Sequence, residues 1–154
     1  MPQDTFFIRA EFCTGCGLCQ LACSLVKEKE ANPAKSRIYI RRLVMDGLML
    51  PHICFNCKKP PCIEACRRKA ITKDTETGWV TLDKERCNNC TLCVAACPFL
   101  AIIVTPEKEV QLCDVCGGNP KCVAMCPTGA IQFADRSRGI AGTTDMAAVD
   151  IFKF

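Results

Sequence analysis

The chain has 154 residues, enough for one domain or two small repeated lobes. Sixteen of its residues are cysteine, against a single histidine, tryptophan and tyrosine. Its formal charge of +4 counts every thiol as neutral, and sixteen thiolates would reverse the sign, so the basic balance is no signature of nucleic-acid binding.

The opening Met1-Pro-Gln-Asp-Thr-Phe-Phe-Ile-Arg9 has no basic region and no apolar run of signal length. Nowhere does the sequence approach the roughly 20 apolar residues of a membrane span. The expectation is a cytoplasmic chain without a membrane span, in a reducing compartment where cysteines bind metal rather than form disulfides.

Residues 5–12 read as a short strand leading into a first cysteine group, Cys13, Cys16, Cys19 and Cys23. Gly15 and Gly17 free that loop's backbone for close approach. Ser24 to Ala31 consists of good helix formers and stops at Asn32-Pro33, and Arg37 to Val44 alternates as a second strand. The second group is Cys54, Cys57, Cys62 and Cys66, its middle gap widened by Lys58-Lys59-Pro60-Pro61. Residues 71–82 predict a hairpin turning at Gly78. The third group is Cys87, Cys90, Cys93 and Cys97, followed by Pro98. The fourth is Cys113, Cys116, Cys122 and Cys126, widened by Gly117-Gly118-Asn119-Pro120-Lys121. Residues 135–154 hold no cysteine and are rich in Gly, Ala and Thr. They predict an extended tail whose apolar end, Val149, Ile151, Phe152 and Phe154, lies along a partner chain.

The third group has the spacing C-x2-C-x2-C-x3-C-P, the run that holds cubane iron–sulfur clusters in bacterial-type ferredoxins. Two-residue gaps let one tight loop present three thiolates to one cube, and the three-residue gap fits a helical turn that carries the fourth thiolate to a second cluster. One such run therefore implies a partner run. Three groups end alike, as Cys66-x3-Ala70-Ile71, Cys97-x3-Ala101-Ile102 and Cys126-x3-Ala130-Ile131, which marks an internal repeat. Structural zinc explains this poorly, because its sites use paired C-x2-4-C motifs, often with histidine, and His52 is the sole histidine.

With these four groups, Cys57-Lys-Lys-Pro-Pro-Cys62 and Cys126-Pro-Thr-Gly-Ala-Ile131, residues 5–134 resemble the four-cluster ferredoxin subunits of the dimethyl-sulfoxide-reductase, formate-dehydrogenase, hydrogenase and carbon-monoxide-dehydrogenase systems. Similar small subunits accompany tungsten-pterin aldehyde oxidoreductases and the tungsten benzoyl-CoA reductase. The resemblance implies an α+β fold of two pseudo-repeated, bacterial-ferredoxin-like lobes, with short strands and helices around four [4Fe–4S] clusters, spanning residues 1–134. It also implies cross-ligation. One cluster takes Cys13, Cys16, Cys19 and Cys126, and a second takes Cys113, Cys116, Cys122 and Cys23. A third takes Cys54, Cys57, Cys62 and Cys97, and a fourth takes Cys87, Cys90, Cys93 and Cys66. Ser24 and Arg67 stand where relatives place a proline after the fourth cysteine, which weakens a turn signal and removes no ligand.

His52 is read as a polar residue beside a ligand loop, and Trp79 as hairpin packing. The set Lys58, Lys59, Arg67, Arg68 and Lys69 reads as a solvated face that also suits cluster tuning or docking. No nucleophile–base pair, phosphate loop or nucleotide fingerprint is visible, so substrate chemistry is assigned to another chain. The expected function is electron transfer within a hetero-oligomer. The catalytic partner is expected to be a tungsten- or molybdenum-pterin oxidoreductase of the aldehyde-oxidising kind, with a flavoprotein or ferredoxin as electron acceptor or donor, no nucleic acid and no membrane span. The alternatives are a freely diffusing polyferredoxin, or a subunit of a formate dehydrogenase, hydrogenase or CO dehydrogenase system.

Overall fold

Residues 4–136 are described by the structure, a computed structural model. Short strands and short helices alternate, giving a small mixed fold. In chain order the elements are β1 (Asp4–Ile8), α1 (Leu18–Glu28), β2 (Tyr39–Leu43), β3 (Leu48–His52), α2 (Pro61–Ala65), β4 (Ile71–Lys73), β5 (Val80–Leu82), α3 (Leu92–Ala96), β6 (Ile103–Val104), β7 (Val110–Gln111), α4 (Lys121–Ala124) and β8 (Ile131–Asp135).

All strands pair antiparallel in two-stranded sheets: β2 with β3, β4 with β5, and β6 with β7 as consecutive hairpins, and β8 with β1 across the whole chain. Each cysteine group thus leaves one strand pair and enters the next. The β1–β8 pair, with Ile8 opposite Ile131, closes the series into a ring. Phe6 packs on Phe133 across that pair, their ring centroids 5.0 Å apart, and buries Phe6, Ile8 and Ile131 where the first and last segments meet. The remaining core is thin: Ile38, Leu50, Ile53, Ile71, Val80 and Val115 are interleaved with buried cysteines.

Several boundaries differ from the sequence reading for local reasons. The first strand ends at Ile8, not residue 12, because the Arg9 amide donates to Ala130 O (2.8 Å) and Ala10–Phe12 then turns as a 3-10 helix. The first helix begins at Leu18, upstream of Cys23, and so contains both Cys19 and Cys23. It stops at Glu28 because Lys29 takes a left-handed φ of 57° and caps Leu25 O. The strand expected over residues 37–44 is shorter, Tyr39–Leu43, and its partner β3 had no sequence signal because Pro51 interrupts it. The expected boundary at residue 134 falls inside β8, and residues 137–154 of the expected tail lie outside the described residues.

Two asparagines tie ligand loops to hairpins. Asn56, fully buried with φ 48°, accepts the Val80 amide on Oδ1 at 2.8 Å, and Asn89, with φ 55°, accepts the Val110 amide at 2.9 Å. Asn tolerates this conformation better than most residues and supplies the acceptor as well. Asn56→Ala removes both advantages and leaves the buried Val80 N–H without its acceptor, at a cost of about 1–3 kcal/mol. Heating the cluster-loaded variant should bleach its visible absorption at a lower temperature than wild type. An unchanged bleaching temperature would mean that the bond contributes nothing.

Candidate iron–sulfur centres

The loop geometry is repeated in all four groups. The residue before the second cysteine is left-handed each time: Gly15 (φ 69°), Asn56 (48°), Asn89 (55°) and Val115 (57°). At Gly15 a Cβ would also sit 3.1 Å from Met49 Cγ and Sδ. The third cysteine of each group lies in a helix, Cys19 in α1, Cys62 in α2, Cys93 in α3 and Cys122 in α4.

The end of each group explains the repeated Ala-Ile. Lys69, Leu100 and Gly129, each three residues past the fourth cysteine, have φ of 52°, 51° and 66°. This turns the next amide back onto sulfur. Ala70 N–H donates to Cys66 Sγ at 3.2 Å and Ala101 N–H to Cys97 Sγ at 3.4 Å. The alanines at this position, Ala70, Ala101 and Ala130, are almost wholly buried, which leaves room only for a methyl group. In the first group the Arg37 amide serves instead, donating to Cys23 Sγ at 3.3 Å.

The sixteen thiols line four cavities. One contains Cys13, Cys16, Cys19 and Cys126. A second contains Cys23, Cys113, Cys116 and Cys122, with Lys27, Arg37 and Asp114 in its wall. A third contains Cys54, Cys57, Cys62 and Cys97. The fourth contains Cys66, Cys87, Cys90 and Cys93, with Arg68 beside them. Each is lined by four thiols, which suits one kind of occupant. No three His, Cys, Asp or Glu side chains among the described residues are gathered around a point that one ion could fill. A mononuclear zinc site needs its sulfurs within about 2.3 Å of a single centre. Four thiols around an open cavity fit a polynuclear core instead.

Thiols of different cavities act on one another. Beyond the dominant effect of burial, Cys19 of the first cavity raises Cys122 of the second, Cys113 of the second raises Cys54 of the third, and Cys93 of the fourth raises Cys62 of the third. Two cavities each expose one thiol, Cys16 in the first and Cys90 in the fourth.

Burial pushes the Cys19, Cys62 and Cys113 thiols up to about 12. At Cys66 and Cys126 burial pushes up too, but converging backbone amides, Ala70 and Ile131 foremost, outweigh it and hold both below the ordinary thiol value. The buried thiols are therefore neutral at pH 7 in a metal-free chain, and ligation expels their protons.

His52 is buried, stacked on Tyr39 at 4.7 Å, with Nδ1 2.9 Å from Phe99 O, and it lines none of the four cavities. Burial lowers its pKa, so the ring is neutral at pH 7 and Nδ1–H is the donor. Trp79 packs between Phe133, 6.5 Å away, and Gly118 of the fourth group, where a Cβ would meet the indole at 2.9 Å. Lys58, Lys59, Arg67, Arg68 and Lys69 are exposed, and only Arg68 among them borders a cysteine cavity. Lys73, Asp114 and Arg136 were not singled out by the sequence, yet each bonds directly to a ligand loop.

The [4Fe–4S] dicluster domain family matches residues 45–136, more than half of the chain. The polyferredoxin-like subunit of an aliphatic sulfonate oxidoreductase from Pyrococcus furiosus is 42% identical over 120 residues, covering 77% of this chain and 69% of the relative. The thiosulfate reductase electron transfer subunit PhsB of Salmonella typhi is 33% identical over 135 residues, covering 79% and 70%. A chain of the active-site complex BamBC of benzoyl coenzyme A reductase shares the fold at 22% identity and a TM-score of 0.52, over 88% of this chain and 81% of that one. The chain belongs to the [4Fe–4S] dicluster-domain family of iron–sulfur electron-transfer subunits of oxidoreductases. Its sixteen cysteines are the complement of four [4Fe–4S] clusters. No helix among the described residues is long and apolar enough to cross a membrane.

Anaerobically purified protein should contain about sixteen iron and about sixteen sulfide per chain. About twelve or fewer iron would mean a missing cluster. Reconstitution of the metal-free full chain in a pH-stat should release protons, and iron uptake should strengthen as pH rises, because deprotonating the raised thiols then costs less.

Proposed function

We propose that this protein is the electron-relay subunit of an oxidoreductase complex, passing single electrons along four [4Fe–4S] clusters between a catalytic subunit and an acceptor. In this reading Cys13, Cys16, Cys19 and Cys126 hold the first cluster, and Cys23, Cys113, Cys116 and Cys122 the second. Cys54, Cys57, Cys62 and Cys97 hold the third, and Cys66, Cys87, Cys90 and Cys93 the fourth. The observation that carries this reading is the set of four cavities each lined by four thiols, with an exposed thiol in the first and in the fourth. The clusters, when bound, supply one-electron chemistry. The chain fixes their separation, aims amides at sulfur and keeps water out.

We read the body as two ferredoxin-like lobes, one built on the first and fourth groups with the α1–α4 packing and the β1–β8 pair, the other on the second and third groups with the α2–α3 packing. Substrate conversion belongs to another subunit, and this chain is not an enzyme alone. The Pyrococcus relative is named for an aliphatic sulfonate oxidoreductase. A pterin-type catalytic subunit acting on an aldehyde or a sulfonate is therefore the partner assigned, in the cytoplasm, with a flavoprotein or ferredoxin as acceptor.

The ligand sets are tested by Cys97→Ser. Paramagnetic resonance should show an altered third cluster, with the signal of Cys87, Cys90 and Cys93 retained. Damage confined to that last signal would overturn cross-ligation. The subunit assignment is tested by gel filtration of native anaerobic extract. The chain should elute with a catalytic polypeptide, and removing residues 145–154 should weaken that association while leaving all clusters loaded. Elution at the size of the chain alone would make it a free polyferredoxin.

A further inference from the structure

Four consecutive carbonyls of the second ligand loop are held by two cations. Arg136 Nη2 donates to Phe55 O at 2.8 Å and to Asn56 O at 3.2 Å. Lys73 Nζ donates to Cys57 O at 2.9 Å and to Lys58 O at 3.1 Å. Lys73 comes from the end of β4 and Arg136 from the residue after β8, so two separate parts of the chain converge on one loop. Thr5 of β1 fixes the arrangement, accepting from Arg136 Nη2 at 3.1 Å while its own hydroxyl donates to Phe55 O at 2.8 Å.

This grip has an electrostatic consequence. In a trans peptide the C=O and the next N–H point in opposite directions, and no peptide bond among the described residues is cis. Carbonyls turned outward onto cations therefore turn the following amides toward the side where Cys54 and Cys57 lie. The Lys73 ammonium is bonded to the carbonyl of Cys57 itself, and the Arg136 guanidinium to the carbonyls of the two residues before it. Neither cation is ion-paired to a carboxylate among the described residues.

The other cavities differ. In the cavity of Cys23, Cys113, Cys116 and Cys122, Lys27 and Arg37 are neutralised by Asp114 and Glu28, and the Asp114 carboxylate itself takes the Cys116 amide at 3.2 Å. Among the described residues, no charged side chain lines the cavity of Cys13, Cys16, Cys19 and Cys126 or that of Cys54, Cys57, Cys62 and Cys97, but the latter has two cations bonded to its loop carbonyls from behind. Among the described residues that line the cavity of Cys66, Cys87, Cys90 and Cys93, Arg68 is the one charged side chain, exposed and screened by solvent.

We propose that Lys73 and Arg136 make the site of Cys54, Cys57, Cys62 and Cys97 the highest-potential site of the four, where an electron entering the chain comes to rest. The inference rests on the electron-relay reading and its ligand sets. Reduction adds one negative charge and moves no proton. Positive charge that no carboxylate among the described residues pairs stabilises that state, and the balanced network at the adjacent site does not. The electron is supplied by the catalytic subunit in the complex and by dithionite in the test.

Potentiometric titration of the anaerobically purified full chain, followed by paramagnetic resonance, tests it. Lys73→Gln and Arg136→Gln remove the charge and keep an amide donor on a shorter side chain. Each should shift the first-reduced signal to lower potential, additively in the double variant, with the other three midpoints and the iron content unchanged. Lys73→Arg should titrate like wild type. Cys57→Ser should alter the line shape of that same first signal. If both glutamine variants leave the first-reduced signal where it was, or shift a different signal, the proposal is overturned. If one variant loses iron, the other decides alone, because the two cations come from separate elements. Wild type with fewer than four clusters, or Cys57→Ser touching no signal, would sink the underlying ligand assignment instead.

Discussion

One turn of helix between two thiolates sets the spacing of everything else. Cys19 and Cys23 both lie in α1, four residues or about 6 Å of rise apart, yet they line different cavities. Cys62 and Cys66, Cys93 and Cys97, and Cys122 and Cys126 repeat the relation around α2, α3 and α4. Each helix is therefore a shared wall, and cavities come in pairs because helices pack in pairs, α1 on α4 and α2 on α3. Helices of four or five residues have no stability of their own in water. Their hold must come from the sulfur at both ends and from the hairpins that feed them.

The same constraint explains the backbone. A buried thiolate needs donors, and the nearest donors are the loop's own amides, which face sulfur only if selected residues turn left-handed. Gly and Asn meet that demand cheaply, but Val115 does not. A β-branched residue at φ 57° stores strain of about 1–3 kcal/mol. Val115 is nevertheless completely buried, so packing holds it against that strain. The ring closure by β1 and β8 has a related role. It brings Thr5 and Arg136, almost the whole described chain apart, onto the carbonyl of Phe55, and so couples both ends of the described residues to a loop between them.

Cysteine spacing made the chemistry legible from sequence, because ligand loops are local and their gaps map directly onto backbone turns. The Ala-Ile repeat was equally visible, although its cause, an amide returned to the sulfur four residues back, needed coordinates. Asn56 and Asn89 did carry a signal: each precedes the second cysteine of its group, at the position Gly15 holds in the first. Strand β3 was hidden by Pro51, and the start of α1 by glycines that read as loop. The contacts of Lys73 and Arg136 were illegible for a different reason. They span sixteen and about eighty residues, and no periodicity or motif encodes a side chain that reaches a distant carbonyl.

Regular spacing and irregular charge divide the work of such a chain. The repeat gives four cavities each lined by four thiols, and alike sites have no preferred direction of their own. Direction can come only from what breaks the repeat. Asp114 stands at a position held by Thr14, Phe55 and Asn88 in the other groups, and its carboxylate neutralises cations that would otherwise favour an electron there. Among the described residues, neither Lys73 nor Arg136 is ion-paired to a carboxylate. Cys54 and Cys113 act on one another, so on the proposed potentials the contrast between paired and unpaired charge falls between these two sites. A relay built this way keeps its ends interchangeable in geometry and distinguishes them by where charge is left unbalanced.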